Sequence, residues 1–317
     1  MLLVVPCHNE ESTIAEVVTS SRAIVPTMEI LVADNASTDR TADVAAAAGA
    51  TVVSVPYPGK GRAVRALLER SNHDVTVMVD GDATYDPAVL AELVHLVFCR
   101  GFDLVNVARV VSEDSGLEYR RGHQLGNQAL TSLQRTLTGI PLRDILSGYK
   151  ALSRRFVASF PVRSQKFQVE VEIAAHAAAL DLASTEISGS YRARPEGSSS
   201  KLSTYSDGLS ILRAILKLYR DLRPFPAFTL LSVPWLVLAL IAVAIPLAEY
   251  LATGEVARFP LLIGGVAAFT VGMLLLSTGW ILDRTQALRR DELAVAAADM
   301  MRSRAESSLL PPRGLGA

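Results

Sequence analysis

The stretch Val77-Met78-Val79-Asp80-Gly81-Asp82-Ala83-Thr84-Tyr85-Asp86-Pro87 runs an apolar strand straight into two aspartates separated by one glycine. A buried strand does not keep a charge, so the carboxylates emerge at its carboxyl end, where open α/β sheets hold their ligands. Two hard oxygen donors at this spacing suit Mg²⁺ or Mn²⁺, which bind through one or two carboxylates together with substrate phosphates. A plainer reading makes the acids solvating groups of a strand-to-helix turn, with Asp86 as N-cap and Pro87 at the first helical position. Asp86 takes that role here; the role of Asp80 and Asp82 depends on what surrounds them.

Around this stretch, residues 1 to about 110 alternate short apolar runs with helical patterns. The expected strands are Leu2 to Pro6, Glu29 to Asp34, Thr51 to Val55, Val75 to Asp80 and Leu104 to Ala108. The expected helices are Ser12 to Ile24, Thr38 to Ala48, Gly61 to Ser71 and Pro87 to Arg100. Such alternation predicts a mostly parallel sheet with helices on both faces and a nucleotide-sized crevice. No G-x-G-x-x-G follows the first strand and no G-x-x-x-x-G-K-[ST] occurs, so dinucleotide and P-loop readings lose their support.

The expected strand ends are polar. Pro6-Cys7-His8-Asn9-Glu10-Glu11 follows the first, Asp34-Asn35-Ala36-Ser37-Thr38-Asp39 the second, Gly59-Lys60-Gly61-Arg62 comes after the third, and the aspartate pair ends the fourth. Asn9 and Ser12, and Ser37 or Thr38, can be read as helix caps. Capping leaves Asp34 and Lys60 unexplained. A lysine between two glycines suits close approach to phosphate, with an ordinary surface turn as the rival.

The chain has 317 residues, half of them hydrophobic, and a net charge of -1. Its apolar excess is concentrated: no charged residue interrupts Pro224 to Ala248 or Phe259 to Leu282. Each run exceeds the roughly 20 residues that cross a bilayer core. Arg213, Lys217, Arg220 and Arg223 precede the first and Arg284, Arg289 and Arg290 follow the second, whereas the intervening loop carries Glu249, Glu255 and Arg258. The positive-inside rule then predicts two spans in the inner (cytoplasmic) membrane with both chain ends in the cytoplasm. Cys7 and Cys99 would lie in a reducing compartment. His95 with Cys99, and Cys7 with His8, lack further ligands at zinc spacing.

The order Pro-x-x-Asn-Glu (Pro6, Asn9, Glu10), Asp-x-x-Ser-x-Asp-x-Thr (Asp34, Ser37, Asp39, Thr41), Gly-Lys-Gly (Gly59 to Gly61) and Asp-x-Asp (Asp80, Asp82) resembles the family 2 inverting glycosyltransferases of GT-A fold. The resemblance implies that Pro6, Asn9, Glu10 and Asp34 line the nucleotide-sugar pocket with Lys60 near it. It implies that Asp80 and Asp82 bridge a divalent cation, Mg²⁺ or Mn²⁺, to the donor diphosphate.

From 110 to 203 cations and hydroxyls dominate: Arg109, Arg120-Arg121, Asp144-Ile145-Leu146-Ser147-Gly148-Tyr149-Lys150, Phe167-Gln168-Val169-Glu170 and Arg192 to Lys201. This order is similar to the polyprenyl-phosphate, dolichyl-phosphate mannose synthase-like branch. That likeness implies Asp82, Asp144, Arg121 and Lys150 as catalytic, Glu170 as donor-binding, and Arg109, Arg121, Arg194, Ser200 and Lys201 as binding the lipid phosphate. One extra serine before Ser200 leaves the register of the last element open by a residue. Arginine forks and lysines among serine hydroxyls also suit an anionic acceptor on chemical grounds, with a solvated loop as the rival. Asp144 is either a base toward a hydroxyl acceptor or the orienter of a cation.

The expected organisation is a cytoplasmic GT-A domain over 1–203, an amphipathic interfacial helix over 204–223, and a hairpin of two transmembrane helices over 224–282 (about 224–248 and 259–282). A cytoplasmic helix and disordered tail complete the chain over 283–317. The small residues Gly264, Gly265, Ala267 and Ala268 would let the spans pack closely. The expected partners are a nucleotide-sugar donor, with a UDP-sugar favoured over a GDP-sugar, polyprenyl phosphate and the lipid bilayer. Self-association through the spans stays open, and nucleic acid is not expected. The rivals are transfer to a hydroxyl of a lipid-linked glycan, a non-catalytic nucleotide-sugar-binding scaffold, and a nucleotidyltransferase. A processive synthase is disfavoured because Gln286-Ala287-Leu288-Arg289 lacks the following Trp and lies after the spans.

Overall fold

The computed structural model describes residues 1–111, 142–164, 168–192 and 223–309, with a few single positions between them. It divides into two compact units, residues 1–215 with 297–317 and residues 216–296.

The first unit is built on a seven-stranded sheet: β1 (Leu2–Cys7), β2 (Glu29–Asn35), β3 (Thr51–Val55), β4 (Val75–Met78), β5 (Leu104–Val111), β6 (Lys150–Ser153) and β7 (Ser184–Tyr191), in the order β3-β2-β1-β4-β6-β5-β7. The strands β1 to β4 pair in parallel, β6 runs antiparallel to both β4 and β5, and β5 pairs in parallel with β7. Leu2, Leu3, Val4 and Val5 of β1 are fully buried, as is every residue of β4. That is the continuous apolar run of a strand covered on both faces. The covering helices are α1 (Ile14–Ile24), α2 (Thr41–Ala47), α3 (Lys60–Leu68), α4 (Leu90–Phe98), α5 (Arg154–Ser159) and α6 (Val169–Ala179).

The expected strands and helices are all present, with ends displaced by a few residues. One displacement is informative: β4 stops at Met78, two residues before Asp80, so the aspartates lie in the turn beyond the sheet. Asp86 caps the short 3-10 turn Pro87–Val89 by accepting from Ala88 N at 2.9 Å.

In the second unit, α7 (Pro224–Thr253) ends at Gly254, whose φ of 77° only glycine adopts without strain. The next helix, α8 (Phe259–Leu309), is continuous through Asp283 to Leu309, where a span and a separate helix were expected. No glycine or proline occurs after Gly279 until Pro311, so nothing in the backbone interrupts it. Both helices are long and apolar enough to cross a membrane, with mean hydropathies of 2.5 and 2.2. They meet along Gly265, Gly272 and Gly279, spaced by one heptad. A Cβ there would lie 2.9 Å from Val243, 2.6 Å from Leu236 and 2.7 Å from Phe228 respectively. Gly264 faces open space and takes no part in this seam. Most of the expected interfacial helix, and residues 310–317, lie outside the described residues.

Two substitutions test these close approaches. A Cβ on Gly81 would meet Cys7 Sγ at 2.4 Å, so Gly81→Ala overpacks the turn that carries Asp80 and Asp82. Its expected cost is about 1–3 kcal/mol, read as a lower melting temperature and largely relieved by adding Cys7→Ala. In the second unit Gly279→Leu has backbone against it, with Phe225 Cα and Pro224 O both 3.4 Å from a Cβ at that position. It should open the α7–α8 seam, seen as faster proteolysis or lost cross-linking between Phe228→Cys and a cysteine beside position 279. An unchanged cross-link yield contradicts the seam.

Candidate active site

Four parallel strands end at one rim, and the turns there bind each other before they could bind anything else. Asn9 N donates to Ser37 Oγ at 3.0 Å, and Asn9 Oδ1 accepts from Thr38 N at 2.8 Å. Glu10 N donates to Thr41 Oγ1 at 2.8 Å, and Glu11 Oε2 accepts from Arg40 N at 3.0 Å. The polar residues read as caps therefore cross-link the β1 and β2 turns, and α1 and α2 start without side-chain caps of their own. Asn9, Ala36 and Ala83, three non-glycine residues at φ of 53°, 56° and 53°, all sit in these turns. Left-handed conformations of this kind cost free energy and cluster where a site must be shaped.

The expected donor-binding residues lie at different depths of this rim. Pro6 is within β1 opposite Ala33, and Asp34 is half-buried with Oδ1 accepting from Ser37 N at 3.3 Å. Glu10 is buried, its Oε2 accepting from Thr13 Oγ1 at 3.3 Å. Asn35, given no role by the sequence, bolts the next turn in place. Its amide accepts from Gly59 N at 2.6 Å and donates to Tyr57 O at 2.7 Å. That fixes the start of α3, and Lys60 with it.

Lys60 Nζ lies 2.6 Å from Asp80 Oδ1 and 2.6 Å from Glu170 Oε1. Burial works against its charge, but the two carboxylates prevail and hold the ammonium above the usual lysine range. Burial pushes the Glu170 carboxyl up, and Lys60 offsets part of that. Asp82 is buried and its Oδ1 accepts from Thr84 Oγ1 at 2.6 Å. The turn after it is pinned to the end of β7: Asp86 N donates to Ser190 O at 3.2 Å, and Arg192 N to Thr84 O at 2.7 Å. Among the described residues no three His, Cys, Asp or Glu side chains form a metal cage. Asp80 and Asp82 nevertheless fit a hard divalent ion that takes its remaining ligands from a diphosphate, since a cation is already drawn against Asp80.

Across β4 lies a second charged group. Asp144 is clamped by Arg109, with Nε to Oδ2 at 2.6 Å and Nη2 to Oδ1 at 2.8 Å. Lys150, the first residue of β6, is fully buried and donates to Asn106 Oδ1 and, at 3.4 Å, to Ile145 O. Glu186, on β7, holds the arrangement: it accepts from Asn106 Nδ2 at 2.7 Å, Arg143 N at 2.9 Å and Asp144 N at 3.3 Å. Neither Asn106 nor Glu186 was singled out in the sequence, because each sits in a strand with no motif around it. Tyr85 joins the two groups. Its hydroxyl accepts from Gly148 N at 2.7 Å, its ring meets Tyr149 and Tyr191 edge-on at 5.4 and 5.2 Å, and burial keeps the phenol neutral. Arg121, Arg194, Ser200 and Lys201 lie outside the described residues.

Gly148→Ala tests the contact between the groups. A Cβ there would fall 2.1 Å from Asp80 Oδ2, so the variant must displace that carboxylate and should lose most activity while still folding. Full activity contradicts the placement of Asp80. Lys150 gives a pH test. Burial lowers its ammonium from the ordinary lysine value of 10.5 to about 8, with Glu170, Asp144 and Glu186 opposing. Between those values the unfolded chain binds more protons than the folded one, so this group's contribution to stability rises with pH across that window. Wild type should therefore gain on Lys150→Met by on the order of 2 kcal/mol between about pH 8 and pH 10. A flat difference contradicts the lowering of the Lys150 ammonium by burial.

The model of glycosyl transferase family 2 matches residues 2–159. Glycosyltransferase AglJ of Haloferax volcanii is 31% identical over 297 residues, 92% of this chain and 95% of the relative. The dolichyl-phosphate hexose transferase of the same organism is 26% identical over 217 residues, 68% of this chain and 92% of the relative. The crystal structure of glucosyl-3-phosphoglycerate synthase from Mycobacterium tuberculosis with Mn²⁺, UDP-glucose and phosphoglyceric acid superposes with a TM-score of 0.56 at 27% identity, covering 69% of this chain and 79% of that one. With its sheet order, its rim and its Asp-Gly-Asp turn, the chain belongs to glycosyl transferase family 2 and has the GT-A fold.

Proposed function

We propose that the protein transfers a hexosyl group from a nucleotide sugar, a UDP-sugar ahead of a GDP-sugar, to polyprenyl phosphate at the cytoplasmic face of the inner membrane, giving a polyprenyl monophosphate sugar. The observation that carries this reading is the Arg109–Asp144 clamp. Both Asp144 oxygens accept from the guanidinium, so the best candidate for a base toward a hydroxyl acceptor is engaged as an anchor for a cation. A hydroxyl acceptor needs a base; a phosphomonoester, largely dianionic at neutral pH, does not. Arg109 and Lys150, with Arg121, Arg194, Ser200 and Lys201, supply the donors to hold it.

In this reading a phosphate oxygen attacks the anomeric carbon, its bond to the diphosphate breaks, and the nucleoside diphosphate leaves with the bonding pair. Displacement inverts the centre, so an α-linked donor gives a β-linked product. Asp80 and Asp82 hold Mg²⁺ or Mn²⁺, which when bound stabilises the negative charge growing on the leaving group. The Mn²⁺ and UDP-glucose bound by the mycobacterial relative support this donor chemistry. The dolichyl-phosphate hexose transferase relative and the two apolar helices support a lipid-linked acceptor and a membrane setting.

The test is to incubate the detergent-purified protein with polyprenyl phosphate, Mg²⁺ or Mn²⁺ and a panel of UDP- and GDP-sugars, beside Asp82→Ala. Mass spectrometry should find one metal-dependent polyprenyl monophosphate sugar, reduced on the order of a hundredfold or more in the variant. Extension of a polyprenyl diphosphate sugar, with no product from the monophosphate, overturns the acceptor assignment.

A further inference from the structure

Lys60, Asp80 and Glu170 form a group with more negative charge than one ammonium cancels. The two carboxylates converge on Nζ at 2.6 Å each, and their side chains are 25% and 3% exposed. Glu170 Oε2, also buried, has no hydrogen-bond partner among the described residues. Two carboxylates that converge on one atom, one of them buried, repel each other unless a cation lies between them. Asp80 lies in a turn where the missing side chain of Gly148 makes room for its carboxylate, and Glu170 lies near the start of α6. Lys60 reaches both acids through a four-carbon stem with freely rotating bonds, and follows Gly59 at φ 142°.

We propose that Lys60 is an internal counter-cation: in the donor-free enzyme it holds Asp80 against divalent metal, and the donor diphosphate draws the ammonium off so that metal and nucleotide enter together. This rests on the metal and diphosphate reading above. An ammonium and a divalent ion cannot both lie against Asp80 Oδ1 without strong repulsion, whereas an ammonium beside a diphosphate is attracted. The coupling between metal and nucleotide would therefore run through one side chain, and by linkage it is reciprocal.

The experiment measures Mn²⁺ binding to the full-length protein in detergent by loss of the free-ion EPR signal, with and without UDP. Wild type should bind Mn²⁺ about tenfold or more tighter with UDP than without, within the usual range of coupling. Lys60→Met should bind Mn²⁺ without UDP about tenfold tighter than wild type and lose most of the coupling. Lys60→Gln provides the same comparison if the Met variant does not fold, and Lys60→Arg should keep the wild-type pattern. If wild type shows the coupling but both neutral variants leave nucleotide-free Mn²⁺ binding unchanged or weaker, the counter-cation role is wrong and the metal reading stands. If wild type binds Mn²⁺ equally with and without UDP, the counter-cation role is also wrong. Wild type that takes up no Mn²⁺ even with UDP overturns both.

Discussion

The convergence of Asp80 and Glu170 on Lys60 ties together the parts of the chain that are furthest apart in sequence. Lys60 begins α3, Asp80 follows β4, and Glu170 lies near the start of α6, so the three meet only when the sheet is assembled. Removing one partner of a buried ion pair leaves an uncompensated charge at a cost of about 3–5 kcal/mol, far more than a surface pair is worth. The neighbouring constraints follow from this one. Asn35 holds the turn that delivers Lys60, Gly148 leaves room for the Asp80 carboxylate, and Tyr85 bonds the Gly148 amide.

Beside it the Arg109–Asp144 and Lys150–Asn106–Glu186 contacts form a separate group, two cations with two carboxylates, on the antiparallel side of the sheet. The reversal of β6 makes this juxtaposition. Its first residue, Lys150, sits at the rim where β4 ends, opposite Met78 of β4 and Asn106 of β5. One rim thus carries an acidic turn and, beside it, a group of cations paired with carboxylates.

Much of this was legible in the sequence, and for identifiable reasons. Apolar runs such as Leu2 to Val5 and Val75 to Met78 declare buried parallel strands, and Asp86-Pro87 declares a cap followed by a first turn. Asp80, Asp82 and Lys60 stood out because charge at a strand end or between glycines needs an explanation. What was not legible depended on long-range partners. Nothing local says that Asn9 would bind the β2 turn instead of capping α1, or that Glu186 would carry the Arg143 and Asp144 amides. The burial of Lys150 has the same origin, because β6 pairs on both edges only after residues 104–111 are in place. The uninterrupted α8 was missed because a change in polarity at Asp283 was read as a boundary, although the backbone contains no breaker there.

The engagement of Asp144 by Arg109 makes the acceptor's own charge the decisive matter. The most direct measurement is a side-by-side assay of polyprenyl phosphate and the corresponding free polyprenol, with the same donor, metal and protein. An acceptor that attacks without a base predicts transfer to the phosphate and none to the alcohol. Comparable transfer to the alcohol would contradict it and return Asp144 to the role of general base.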